Sequence, residues 1–197
     1  LYKIRLVMSI DISNKPSPFT LKNKFYRIAW SVVYKLLFRT SPNPMRKWRV
    51  ALLNLFGAEI SNKARISPLA EITFPKNLIM EDYATLGPYS ICYSTEKIHI
   101  RKQATVSQFS YLCSATHDYE DKNFTLYAKP IIIEQNAWVS ADVFIGPGVT
   151  VGEGSVIGAR SSVYKNIPKW GVYVGNPAKF LKKREIKRDR SNEKIIF

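Results

Sequence analysis

From Ile60 onward an aliphatic side chain returns at every sixth position, with a small residue four places after it. The first three leads are Ile60, Ile66 and Ile72, followed by Met80, Leu86 and Cys92, then Ile100, Val106 and Leu112. A two-residue insertion separates each group of three from the next. After a 15-residue interruption, 118–132, the pattern runs unbroken through Ile133, Val139, Ile145, Val151, Ile157 and Val163. Thirteen of the fifteen leads are Leu, Ile or Val, and twelve of the fifteen fifth positions are Ser, Thr, Ala or Val, a register that chance does not produce. The exceptions at the fifth position, Lys76, Glu96 and Ile167, each close a group of three.

Six residues are three alternations of the strand pleat, so every lead returns to the same side of the chain. The pattern predicts an all-β domain over residues 59–168, a parallel β-helix of about five 18-residue coils with three short strands each. Leads point inward, Cys92 among them, and small residues occupy the corners. Coils stacked at strand spacing make a prism roughly 24 Å tall.

The flanks read differently. Residues 20–38 have helical periodicity, with Thr20 as N-cap and an apolar stripe of Leu21, Phe25, Ile28, Ala29, Val32 and Leu36. Trp30, Val33, Tyr34, Leu37 and Phe38 widen that stripe beyond one face. Ser41-Pro-Asn-Pro44 breaks the helix, and a second is predicted from Met45 to Phe56, ending at Gly57. Residues 1–58 are therefore expected to cap the open end of the prism. Their aromatic, basic character also fits contact with an anionic membrane surface. After Pro168, a short strand at Trp170–Val174, a turn at Gly175 and a basic helix from Lys179 to Arg188 are predicted, with frayed residues from Asp189 onward.

With 46% hydrophobic residues in 197, the chain can bury a core, which excludes wholesale disorder. Two cysteines exclude a disulfide framework and a four-Cys zinc site. The longest apolar stretch, Ile28 to Phe38, is interrupted by Lys35 and is about half the length of a membrane span. No cleavable signal opens the sequence, so a cytoplasmic protein is expected, in peripheral contact with the inner membrane face at most. The chain begins with Leu1, and residues 1–7 are expected to be a start-site artefact or an unstructured leader. The net charge of +15 is not one basic surface. Residues 1–58 carry +10, residues 59–168 carry −1 and residues 169–197 carry +6. Lys/Arg interleaved with aromatics admit a nucleic-acid-binding module, but no recognised motif accompanies them.

Two histidines, His99 and His117, are the only ones. Eighteen residues apart, they are predicted to stack on one edge of the prism, with His117 at the mouth of the long loop, where function concentrates. A zinc hydratase on such a prism needs three histidine ligands, more than the chain has. Cys113, next to a lead, is predicted to face outward near His117, where a Cys–His acyl-enzyme is a possible arrangement.

Segments 106–119 (VSQFSYLCSATHDY) and 130–159, together with Gly175-Asn-Pro-Ala-Lys179, resemble the sugar O-acetyltransferases of the hexapeptide family, those of colanic-acid-type exopolysaccharide synthesis above all. The leader, 42–49 (PNPMRKWR) and 52–58 (LLNLFGA), is similar too, and the likeness covers roughly residues 17–183. The resemblance implies a left-handed coil, a homotrimer with each site shared by two chains, and direct transfer from acetyl-CoA to a sugar hydroxyl without a metal. The acceptor is expected to be a sugar or a lipid-linked saccharide precursor. His117 takes the position of the general base. Ala141 and Ala159 take those of small residues beside the pantetheine, Trp138 the groove mouth, and Lys165, Lys179 and Lys182 positions near the cofactor phosphates. Ser94 best matches an asparagine that meets the acceptor, and Asp118 neighbours the base. A non-catalytic structural β-helix and, less well supported, the nucleic-acid module remain the alternatives.

Overall fold

The structure, a computed structural model, describes residues 20–187. The expectations for residues 1–7 and for those from Asp189 onward lie outside the described residues. Helix α1 (Leu21–Val33) runs on through a wider π-helical turn, Tyr34–Phe38, and α2 (Arg46–Leu55) follows. Coil 1 comprises β1 (Glu59–Ile60), β2 (Arg65–Ile66) and β3 (Glu71–Ile72). Coil 2 comprises β4 (Leu78–Met80), β5 (Thr85–Leu86) and β6 (Ile91–Tyr93), and coil 3 β7 (Ile98–Ile100), β8 (Thr105–Val106) and β9 (Tyr111–Cys113). A projecting arm, β10 (Ala115–His117) and β11 (Leu126–Ala128), intervenes. Coil 4 is β12 (Ile131–Ile133), β13 (Trp138–Val139) and β14 (Phe144–Ile145), and coil 5 is β15 (Thr150–Val151), β16 (Val156–Ile157) and β17 (Ser162–Val163). Ile167 bridging Val151, and β18 (Gly171–Val174) paired on β16, add two faces of a sixth coil.

Strands at equivalent positions pair in parallel and form the three walls. Wall A runs β1-β4-β7-β12-β15, wall B runs β2-β5-β8-β13-β16-β18, and wall C runs β3-β6-β9-β14-β17. The leads are buried without exception and share one core with the leader's Trp30, Phe38, Val50 and Leu53. The corners explain the small fifth position. Turns such as Ala84 N–H to Glu81 O (3.1 Å) and Ala137 N–H to Glu134 O (3.1 Å) close them. From coil 2 onward, the residue three after the first two leads of each coil sits at positive φ, as at Tyr83 (61°), Gln103 (59°) and Asn136 (59°). The next residue then turns into the corner interior, where Ala84, Ala104 and Ala137 are buried and only a short side chain fits.

The leader caps coil 1, by a different face than the aliphatic periodicity points to. Trp30 is buried and its indole N–H donates to Ile72 O at 2.6 Å, while Tyr26 O–H donates to Phe56 O at 2.6 Å. The stripe of Leu21, Phe25, Ile28, Val32 and Leu36 faces solvent instead. The first coil presents the backbone carbonyl of Ile72 as well as apolar surface, and a face carrying the Trp30 indole donor satisfies both, while the Tyr26 phenol ties α1 to the end of α2. Arg49 completes the cap. Buried at 3% exposure, its guanidinium donates to Ile66 O (2.9 Å), Pro42 O (2.8 Å), Asn43 O (2.9 Å) and Ser41 Oγ (3.1 Å).

At the other end the predicted basic helix from Lys179 is corrected. Residues Lys179–Lys183 form β19, antiparallel to β18, after which Arg184 donates to Asn136 O (3.0 Å) and Gly154 O (2.8 Å). β18 would otherwise be an open edge, and a strand with exposed lysines covers it. No helix among the described residues is long and apolar enough to cross a membrane.

Arg49→Ala is expected to destabilise the protein by about 3 kcal/mol, because three backbone carbonyls lose a charged donor. The exposed neighbour Lys47→Ala should stay within about 0.5 kcal/mol. Urea unfolding of the two variants checks this.

Candidate active site

The chain leaves wall C after Cys113 and does not rejoin wall A until Ile131. In between, β10 and β11 pair with each other, His117 opposite Leu126. The excursion thus begins about four residues earlier than the hexapeptide pattern predicts. The predicted stacking of the two histidines is corrected accordingly: Ile132, not His117, pairs above His99. His99 Nε2 lies 2.8 Å from Glu81 Oε1, and Glu81 Oε2 accepts from Lys102 N at 2.9 Å, a contact between coils.

His117 is half-buried at the end of β10. Its ring stacks on that of Phe124, centroids 4.6 Å apart and planes 10° from parallel. Its Nδ1 lies 2.7 Å from Phe124 O. A carbonyl oxygen only accepts, so Nδ1 carries the proton and the neutral ring has its lone pair on Nε2. Phe124 turns its carbonyl to the ring from a positive φ of 49°, held by its N–H on Asp121 O at 2.8 Å. Phe124 is the site residue that the sequence did not single out; its place inside the long loop was the only signal. Asp118 is exposed, its N–H bonded to Thr125 O (2.9 Å) and its carboxylate accepting from Glu120 N–H (3.0 Å). Its carboxylate thus braces the turn, while the Phe124 carbonyl orients Nδ1. His117, Asp118, Tyr119, Tyr127 and Lys129 line an open cavity of about 600 Å³.

Two predicted site residues are corrected. Cys113 is buried under the arm, with its thiol donating to Ala115 O at 3.1 Å. Burial, and then the Cys113 thiol beside it, keep the Tyr111 phenol protonated well above its ordinary range. Ser94 is fully buried, with its hydroxyl donating to Phe74 O and accepting from Phe74 N–H, both at 3.0 Å. Its hydroxyl braces a corner, closed off from solvent.

The expected cofactor residues fall on two edges. Ala141 and Ala159 occupy equivalent places in successive turns at the B–C edge, where Arg160 N–H donates to Ala141 O at 3.0 Å. Lys179 follows Ala178, whose N–H bonds Ser162 O at 2.8 Å, and so tops the same edge. Lys182 pairs opposite Val172 on wall B. Trp138 is half-exposed on wall B and donates to Ser107 Oγ at 3.0 Å. Lys165, exposed, belongs to the C–A edge from which the arm projects. Among the described residues no group of three or more His, Cys, Asp and Glu is placed to hold a metal ion.

Three parallel walls wound on a six-residue period are the architecture of the hexapeptide-repeat transferases, and residues 130–165 match the family described as "Bacterial transferase hexapeptide (six repeats)". The chain is 43% identical over 155 residues to "Putative colanic acid biosynthesis acetyltransferase WcaF" of Escherichia coli (strain K12), spanning 79% of this chain and 85% of that one. It therefore belongs to the hexapeptide-repeat acetyltransferase family. Among solved structures, a maltose O-acetyltransferase from Clostridium difficile 630 superposes with a TM-score of 0.76 at 24% identity, over 85% of this chain and 90% of that one. A hexapeptide-repeat acetyltransferase from Vibrio cholerae O1 biovar eltor, complexed with acetyl coenzyme A, gives 0.76 at 23% identity, over 86% and 93%. These two likenesses carry the fold, including its left-handed winding.

Burial pushes the Cys92 thiol up to about 12, and Cys113 is covered by the arm. Neither thiol is expected to react with Ellman's reagent in the native protein, whereas both react at once in denaturant.

Proposed function

We propose that this enzyme transfers the acetyl group of acetyl-CoA directly to a hydroxyl of a saccharide, with His117 as general base. The observation that carries this reading is the 2.7 Å contact of His117 Nδ1 with Phe124 O, which assigns the lone pair of the neutral ring to Nε2 in a residue that lines an open cavity. A sugar hydroxyl is a poor nucleophile at neutral pH. Nε2 takes its proton as the oxygen bonds to the thioester carbon; the C–S bond breaks, and the imidazolium returns the proton to the departing thiolate. The names of the relatives support the substrate classes. WcaF is named for colanic acid biosynthesis, and one structural neighbour is a galactoside acetyltransferase in complex with coenzyme A.

The residues present fit coenzyme A. At the B–C edge the short side chains of Ala141 and Ala159 leave backbone open to an extended pantetheine, with Trp138 alongside. Lys179 and Lys182 supply charge for its phosphates, and Lys165 does so from the other edge. In a single chain the base projects from the C–A edge while the alanines occupy the B–C edge. A site that needs both is completed by a second copy. We therefore read the protein as a cyclic trimer in which each C–A edge meets a neighbour's B–C edge. This reading leaves no role for Ser94 or for a Cys113 acyl-enzyme.

Thiol release from acetyl-CoA with a panel of saccharides tests the proposal. His117→Ala should lower the rate by about 10²–10⁴-fold, and Cys113→Ala should leave it in the wild-type range. Equal rates for wild type and His117→Ala would remove His117 from the mechanism. Calorimetry finding no coenzyme A binding would favour a purely structural β-helix.

A further inference from the structure

The outer side of the cap carries a row of apolar side chains that stand exposed among the described residues. Leu21, Phe25, Ile28, Val32 and Leu36 are 73%, 71%, 61%, 51% and 65% exposed. At 3.6 residues per turn they share one face, roughly 23 Å long. Leu37 and Trp48 extend it, tied together by Trp48 Nε1–H on Leu37 O at 3.1 Å, and both are well exposed. From Thr20 to Ala58 the chain has no acidic residue. Lys24, Arg27, Lys35 and Arg39 instead line one flank of the row, in a groove of about 650 Å³ between α1 and β3 in which Glu71 is the sole acidic lining residue. Lys22 stands on the other flank. A bare apolar strip of this length, bordered by cations, is the surface that an interfacial helix lays on a bilayer.

We propose that α1 docks this protein on an anionic lipid bilayer, with the Leu21–Leu36 row at the headgroup–acyl boundary and a lipid phosphate in the groove of Lys24, Arg27, Lys35 and Arg39. Charge selects this occupant over a second copy of the chain. Isologous pairing through the row would set the same cations against themselves, and the prism has a net charge of only −1 to offer them. The inference does not rest on the proposed chemistry, and His117→Ala protein should bind vesicles as wild type does.

Co-sedimentation of the full chain with vesicles tests it. The protein should pellet with phosphatidylcholine–phosphatidylglycerol vesicles at low salt, not with phosphatidylcholine alone, and should be released as salt rises. Lys24→Gln with Lys35→Gln should weaken binding roughly 25-fold, and Phe25→Ser with Ile28→Ser at least about tenfold. Both variants should keep thiol release with a soluble acceptor, which shows that they are folded. The proposal is overturned if wild type stays in the supernatant, if neutral vesicles bind equally, or if neither variant weakens binding. A change in the light-scattering mass of the Phe25→Ser, Ile28→Ser protein would also overturn it, by assigning the row to contact between copies.

Discussion

Each coil hangs on the one before it through parallel backbone bonds in fixed register, and almost everything else in the molecule follows from keeping that register. Along wall A, Leu78, Ile98 and Ile131 stand over one another, as do Met80, Ile100, Ile133 and Val151. The corners keep step by placing a positive φ three residues after the first two leads of every coil from coil 2 onward. At two of them the backbones approach so closely that a side chain has no space. A Cβ on Gly152 would lie 2.6 Å from Ile167 O, and one on Gly87 2.8 Å from Gln108 N. Within a coil no residue can be added without shifting every later lead off the core. An insertion is tolerated only where the chain can leave at a corner and return to the next wall. The arm does this, pairing with itself and leaving the stack above and below intact.

This constraint explains which parts were legible in the sequence. Leads and fifth positions declare themselves because burial recurs every six residues. The exit point of the arm did not, because the pattern continues past it in the sequence: Thr116 is as small as a true corner residue, although it lies on β10. The cap shows the complementary limit. Helical periodicity identifies faces without saying what each face meets. The aliphatic stripe of α1 is the more regular one, yet the carbonyl of Ile72 and the indole of Trp30 settle which side turns inward. Lys179–Lys183 reads as helix by composition and becomes a strand because β18 needs a partner.

The site divides in the same way. His117 was legible as one of two histidines, placed beside the long loop. Its tautomer was not, since that depends on a single carbonyl brought round by the positive φ of Phe124. The small residues of the B–C edge were picked out by resemblance, but their separation from His117 was not legible. Period six assigns a residue to a wall or a corner, whereas the distance between corners appears only once three walls have closed.

Stacking also governs where charge can go. Equivalent positions of successive coils lie about 4.8 Å apart, so a repeated charge at one register would repel itself along the whole prism. The side chains answer with opposite signs on neighbouring coils. Among the described residues, Lys63–Asp82 (2.9 Å), Arg101–Glu134 (3.2 Å) and Arg160–Asp142 (3.5 Å) each join one coil to the next. Such surface pairs contribute little individually, but their arrangement keeps residues 59–168 near neutrality. A surplus of fifteen positive charges therefore has no place in the stack and collects in the leader and the tail. Those segments are not bound by the coil register. Charge there answers to what the ends of the molecule meet, and the exposed apolar row of α1 lies in the more basic of the two.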